Sequence, residues 1–243
     1  MTDKIRIFIG TSANNEDADA EMVLEYSLRK NSSTPLEITF MRQTHDTESP
    51  WGGWRTENWS TPFSGFRWAI PEVCSFQGRA IYMDVDMINL SDITELYNIP
   101  MESHHLMAAR EGIRFGGTEF CVIVFDCAKM KEHLIPVSRM KKIPEFHHRM
   151  ISKFTRSETI KHFDPAWNNH DGDGKTLDKI KHLHYTEMST QPWKPAWFTG
   201  VCRDHPRPDL VKLWFDTKKE ALGAGYTPKL YNDTFGKYNI IGR

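Results

Sequence analysis

The stretch "RAIYMDVDMINLSDITEL", Arg79 to Leu96, decides how the chain is read. A mostly apolar run climbs to Asp84, followed by Val85 and Asp86. Side chains at i and i+2 of a strand share a face. Asp84 and Asp86 therefore point to one side, and Val85 to the other. A plain solvated strand end, a phosphatase nucleophile and a metal site all fit this pattern. In a parallel α/β sheet, ligands bind beyond the carboxyl ends of the strands. Two hard oxygen ligands at such a place suit Mg²⁺ or Mn²⁺. A cation also explains why two like charges stand so close.

Working outward, the chain opens with "KIRIFIG" (Lys4 to Gly10), a β-rich run that stops at glycine. A helical pattern follows, with Met22, Val23, Tyr26 and Leu28 on its apolar face and Asp17 and Asp19 near its start. "LEITFMR" (Leu36 to Arg42) reads as the next strand. This β-α-β order predicts an α/β fold with a parallel sheet. Residues 43–61 form a long polar stretch carrying Trp51, Trp54 and Trp59, which either stack on an acceptor sugar or pack the loop down. "PFSGFRWAIPEVCS" is predicted helical, with Phe63, Phe66 and Ile70 inward. Further strands are expected at "HHLMAAR", "FCVIVFD" and "KIKHLHYT", and helices at "SRMKKIPEFHHRMISKF" and "RPDLVKLWFDTKKEALGAG". No repeat or linker divides the chain, so residues 1–243 are expected to form a single domain.

Composition excludes several classes. Of 243 residues, 39% are apolar and 26% charged, and the net charge is -1. That balance asks for neither a nucleic-acid backbone nor an anionic membrane as partner. The N-terminus has no apolar signal core, and no run approaches the roughly 20 apolar residues of a membrane span. Cys74, Cys121, Cys127 and Cys202 form no CxxC pair. They read as reduced thiols of a cytoplasmic protein, with Cys121 and Cys127 as packing residues.

Several motifs in order then carry a family resemblance. "IRIFIGTSANNEDADAEMVLEYSLRKNSS", "STPFSGFRWAIPEV", "AIYMDVDMINLSDITEL", "FCVIVFDCAKM", "FDPAWNN" and "LHYTEMSTQPW" together resemble glycosyltransferase family 8, the glycogenin-like retaining enzymes and their small bacterial relatives. The resemblance covers roughly residues 4–200. It implies the GT-A fold and transfer from a nucleotide sugar, a UDP-sugar above all, to a glycan or glycoconjugate. It implies a Mn²⁺ or Mg²⁺ held by Asp84, Asp86 and His184. It implies donor contacts from Thr11, Ser12, Arg67, Asp84, Val85, Asp86 and Lys194, with Arg67 beside the sugar diphosphate and acting in catalysis with the two aspartates.

The departures from the family pattern are specific. Its Asn-Ser-Gly is Glu119-Phe120-Cys121 here, Glu187 replaces a glycine, and Gln191 stands where a phosphate-binding lysine belongs. Lys194 is the candidate replacement for that charge. His182 lies two residues from His184 and is the rival metal ligand. Thr11 and Ser12 read equally as a turn and helix cap.

The implied chemistry is loss of a nucleoside diphosphate through an oxocarbenium-like state, with retention. The cation would stabilise charge developing on the leaving group. A metal-binding histidine must be neutral, so activity is expected to fall below about pH 6.5. A haloacid-dehalogenase-type phosphatase also uses D-x-D after a strand. It wants Thr or Val where Ile88 stands, and it places the motif on the first strand. A non-catalytic nucleotide-sugar or glycan binder is the other alternative. "NNHDGDGKTLDKI" offers calcium-loop offsets but ends on Ile180 instead of an acid, and "GDGKT" lacks the first glycine of a phosphate loop.

Overall fold

The computed structural model describes residues 4–112, 117–193 and 200–235. In chain order the elements are β1 (Ile5–Gly10), α1 (Ala18–Lys30), β2 (Leu36–Met41), a 3₁₀ turn at Phe66–Ala69 running into α2 (Ile70–Val73), β3 (Arg79–Asp84), β4 (Met87–Asn89) and α3 (Ile93–Tyr97). There follow β5 (Met107–Glu111), β6 (Thr118–Asp126), α4 (Val137–Met140), α5 (Phe146–Phe154), β7 (Ile160–Phe163), β8 (Asn169–His170), β9 (His182–His184) and α6 (Pro208–Gly223).

Six strands form the central sheet in the order β2-β1-β3-β6-β5-β7. β1 pairs in parallel with β2 and β3, and β5 with β7, whereas β6 runs antiparallel to both its neighbours. The architecture is therefore α/β with a mostly parallel sheet. The strands are apolar almost throughout because helices and loops cover both faces. Ile7, Ile9, Ile81, Met83, Val122 and Val124 are all fully buried.

A small second sheet, β4-β9-β8, stands at the rim of the first. The strand expected at "KIKHLHYT" is present but shorter, and it lies in this small sheet. Only His182–His184 is extended, and its partner is β4, reached directly from the D-x-D turn. Two helical expectations also shorten. Pro71 leaves one 3₁₀ turn and one α turn before β3. The basic stretch after residue 137 is split around Pro144 into α4 and α5.

The long loop packs inward. Trp51 and Trp54 are buried, and Trp54 and Trp59 each set an edge against Phe66 at 5.5 Å. Past α6 the chain returns to the ends of β1 and β2. There Asn15 and Tyr231 exchange hydrogen bonds of 2.9 and 2.8 Å, and the Arg42 guanidinium lies 4.0 Å over the Tyr231 ring. No helix among the described residues is long and apolar enough to cross a membrane.

Candidate active site at the D-x-D rim

β3 ends at Asp84, the chain turns through Val85 and Asp86, and β4 begins at Met87. Met87 pairs with His184 of β9, and the Tyr185 amide donates to the Asp86 carbonyl at 2.9 Å. This register brings His184 to Asp86, with Nε2 3.2 Å from Oδ1. The other ring nitrogen, Nδ1, lies 3.1 Å from Asn168 Oδ1. An amide oxygen there accepts from Nδ1–H and so directs the other ring nitrogen, Nε2, at the carboxylate. Burial pulls the imidazole down, but Asp86 and Asp84 outweigh it and leave His184 above its ordinary value.

His182, the rival ligand, has both ring nitrogens engaged inside the small sheet. It is fully buried, with Nδ1 3.2 Å from Asn89 Oδ1 and Nε2 3.1 Å from Met87 Sδ. Burial pushes it down to about 3, so it stays neutral inside the small sheet.

Asp84 stands deeper. Its Oδ1 accepts from the Tyr82 hydroxyl and lies 3.4 Å from Arg67 Nη2. Arg67 is itself buried. Its Nε donates to the Ser64 carbonyl at 2.7 Å, its Nη1 to the Phe120 carbonyl, and its plane lies 4.3 Å over the Tyr82 ring. The guanidinium thus ties together the turn before α2, strand β6 and the first aspartate. Burial holds the Asp84 carboxyl above its usual value against the pull of Arg67, and Asp86 adds to the rise. Gly10 is required at the end of β1, since a Cβ there would meet Phe63 Cδ2 at 2.5 Å and the Tyr82 hydroxyl at 2.9 Å.

Beside this rim lies a small pocket whose walls include Ser12, Asp17, Phe63, Val85, Asp86 and Gln191. Ser12 and Val85 line it. Thr11 does not: its hydroxyl donates to Glu21 Oε1 at 2.6 Å in the buried layer beneath, where Glu21 also meets Arg42. The Thr11 hydroxyl is thus engaged beneath the pocket. Burial raises Asp17 to about 6, even though it accepts from the Ser12 amide at 3.1 Å.

Gln191, at the family's lysine position, is buried and braces the second aspartate. Its Nε2 lies 3.1 Å from Asp86 Oδ2 and 2.9 Å from the Tyr185 carbonyl. Lys194 lies outside the described residues. Trp193 stacks on Trp214 at 5.3 Å.

Two features were not read from sequence. A second, open cavity lies on the far side of His184, walled by Glu119, His170, Asp171, Asp173, Glu187 and His205. Under it the fully buried Arg110 reaches Asp173 at 2.9 Å and Glu119 at 3.4 Å. The stretch "NNHDGDGKT" carried the acids, but nothing local pointed to a partner sixty residues upstream. The second feature is Cys121, read as packing. β6 aligns Met83 with Val122, so the next pair in that antiparallel ladder is Asp84 with Cys121. Among the described residues, Asp84, Cys121 and His184 offer ligand atoms that all lie within 4.8 Å of one another.

Comparison with known proteins agrees with this fold. The Glycosyl transferase family 8 model matches residues 55–169. The chain is 28% identical over 242 residues to Protein CDI of Arabidopsis thaliana, covering 90% of this chain and 91% of that protein. Among solved structures it is similar to the galactosyltransferase LgtC in complex with donor and acceptor sugar analogues, at TM-score 0.63 and 10% identity, over 89% of this chain and 96% of LgtC. It also resembles GlyE of Streptococcus pneumoniae, at TM-score 0.61 and 15% identity, over 94% of this chain and 66% of GlyE. The bifunctional glycosyltransferase WbbM matches at TM-score 0.63 and 14% identity over 92% of this chain, which spans about half of WbbM, 52% of its length. The fold is GT-A.

Proposed function

We propose that this chain, a glycosyltransferase of GT-A fold resembling family 8, moves a sugar from a nucleotide sugar, preferably a UDP-sugar, to a glycan or glycoconjugate with a divalent cation at Asp84, Asp86 and His184. The observation that carries this reading is the His184–Asp86 contact at 3.2 Å, braced by Asn168 behind the imidazole, with Asp86 lining the pocket beside it.

The residues fit a cation. Asp86 Oδ1 is buried and accepts no hydrogen bond, and the set of two carboxylates and an imidazole suits Mn²⁺ or Mg²⁺. When bound, such an ion supplies positive charge against the departing diphosphate. The chain's own residues prepare for that event. Gln191 holds the Asp86 carboxylate by its Oδ2, with His184 standing 3.2 Å from the Oδ1, and Tyr82 and Arg67 hold Asp84. Val85 and Phe63 line the cavity with apolar surface, which excludes water and strengthens the electrostatics inside it. A retaining, front-side attack asks for no strong protein base, in keeping with a site built mainly from charge and orientation.

Thermal melting with a panel of nucleotide sugars, with and without Mn²⁺, tests the proposal. A true donor raises Tm by mass action. A UDP-sugar shift that needs Mn²⁺ and is lost in Asp86→Ala is expected, together with Mn²⁺-dependent sugar transfer or hydrolysis lost in the same variant. Nucleotide-sugar binding without any turnover would reduce the protein to a binder. A phospho-aspartate trapped on Asp84 would replace the reading with a phosphatase.

A further inference from the structure

The geometry points to Cys121 as a sulfur ligand of the same cation site, which makes the donor set carboxylate, imidazole and thiolate. This inference rests on the proposed metal site and extends it. Three observations converge. The β3–β6 ladder sets Cys121 opposite Asp84, on the same face. Its Sγ, a carboxylate oxygen of Asp84 and a ring nitrogen of His184 all lie within 4.8 Å of one another, the spacing of atoms that share one ion. The strand that carries Cys121 is pinned at the preceding residue, where the Phe120 carbonyl accepts from Arg67, the residue that also reaches Asp84.

Thiolate is a soft ligand, and it selects Zn²⁺ or Co²⁺ over Mg²⁺ and Mn²⁺. As the sulfur–metal bond forms, the thiol proton leaves to solvent, so binding releases a proton. A site of oxygen and nitrogen alone also prefers Zn²⁺ to Mn²⁺. The discriminating property is therefore the contribution of sulfur itself and not the order of affinities.

The test is a Co²⁺ titration of the metal-free full chain carrying Cys202→Ser, which removes the one exposed thiol. A near-ultraviolet sulfur-to-cobalt charge-transfer band is expected at one equivalent. It should vanish in Cys121→Ser, with Zn²⁺ affinity falling about tenfold or more and Mn²⁺ affinity, read by electron paramagnetic resonance, changing little. Equal melting temperatures in the absence of metal check that Cys121→Ser folds. Co²⁺ binding without the charge-transfer band overturns the role of Cys121 and leaves the Asp84–Asp86–His184 site standing. Binding of neither Co²⁺ nor Mn²⁺, or binding indifferent to both Asp84→Ala and His184→Ala, overturns both.

Discussion

Asn168 Oδ1 sits 3.1 Å from His184 Nδ1, and the opposite ring nitrogen faces Asp86 at 3.2 Å. Asn168 touches neither aspartate, yet it sets which nitrogen of the imidazole carries the proton. Partners of this kind typically govern metal affinity by 10–100-fold when they are removed. Asn168→Ala should therefore weaken Mn²⁺ binding by at least about tenfold while the protein stays folded. Titration followed by electron paramagnetic resonance measures it, and an unchanged affinity would show that the amide serves only the packing around Glu119.

Arg67 is expected to matter to stability before it matters to the donor. Removing it leaves the Ser64 and Phe120 carbonyls and the Asp84 carboxylate without their buried partner. Breaking a buried ion pair from one side costs about 3–5 kcal/mol. Arg67→Ala should lower the urea midpoint accordingly, and Arg67→Lys should recover only part, since an ammonium cannot lie flat on Tyr82 while serving three acceptors. A variant as stable as the parent would reassign Arg67 to the ligand alone.

Thr11 gives the opposite contrast. Its hydroxyl is committed to Glu21 below the cavity floor, where burial lifts the Glu21 carboxyl to about 7. Thr11→Val should cost about 1 kcal/mol of stability and leave the donor KM unchanged. A rise in KM at constant stability would return Thr11 to the nucleotide.

His147 makes the fold sensitive to acid. Burial, with Arg67 and His148 nearby, pushes it down to about 2, and its Nδ1 accepts from the Trp68 indole at 3.1 Å. The native imidazole is neutral, whereas the unfolded one takes a proton below about pH 6.5. The unfolded state therefore binds more protons, and stability falls as pH drops below 6.5, by at most about 1.4 kcal/mol per pH unit from this group. Melting curves between pH 7 and 5 should show the slope. In His147→Asn, which keeps an acceptor for Trp68, the slope should flatten, and an identical slope would assign the effect to other groups.

Much of this was legible locally. The run into Asp84, the glycine closing β1 and the alternating helix and strand patterns all express their structure within a few residues, but β3 ends at Asp84, so strand alternation does not extend to Val85 and Asp86, which line one pocket together. What escaped reading depended on pairing across the chain. Period-2 alternation could not choose between His182 and His184. β4 chose, by pairing Met87 with one and Asn89 with the other. Cys121 looked like one more apolar position in "FCVIVF" because nothing in β6 alone says which residue will face Asp84. The helix expected before β3 is shortened at Pro71, which sits in the first turn of α2.

Strand β6 runs against the direction of its neighbours in the central sheet. Its upstream residues therefore meet the downstream ends of the strands beside it, and Glu119 and Cys121 arrive where ligands gather while Ile123 to Phe125 fill the interior. One short segment thus divides its labour lengthwise. Its leading half meets Arg110 and Arg67 at the rim, and its trailing half belongs to the buried scaffold.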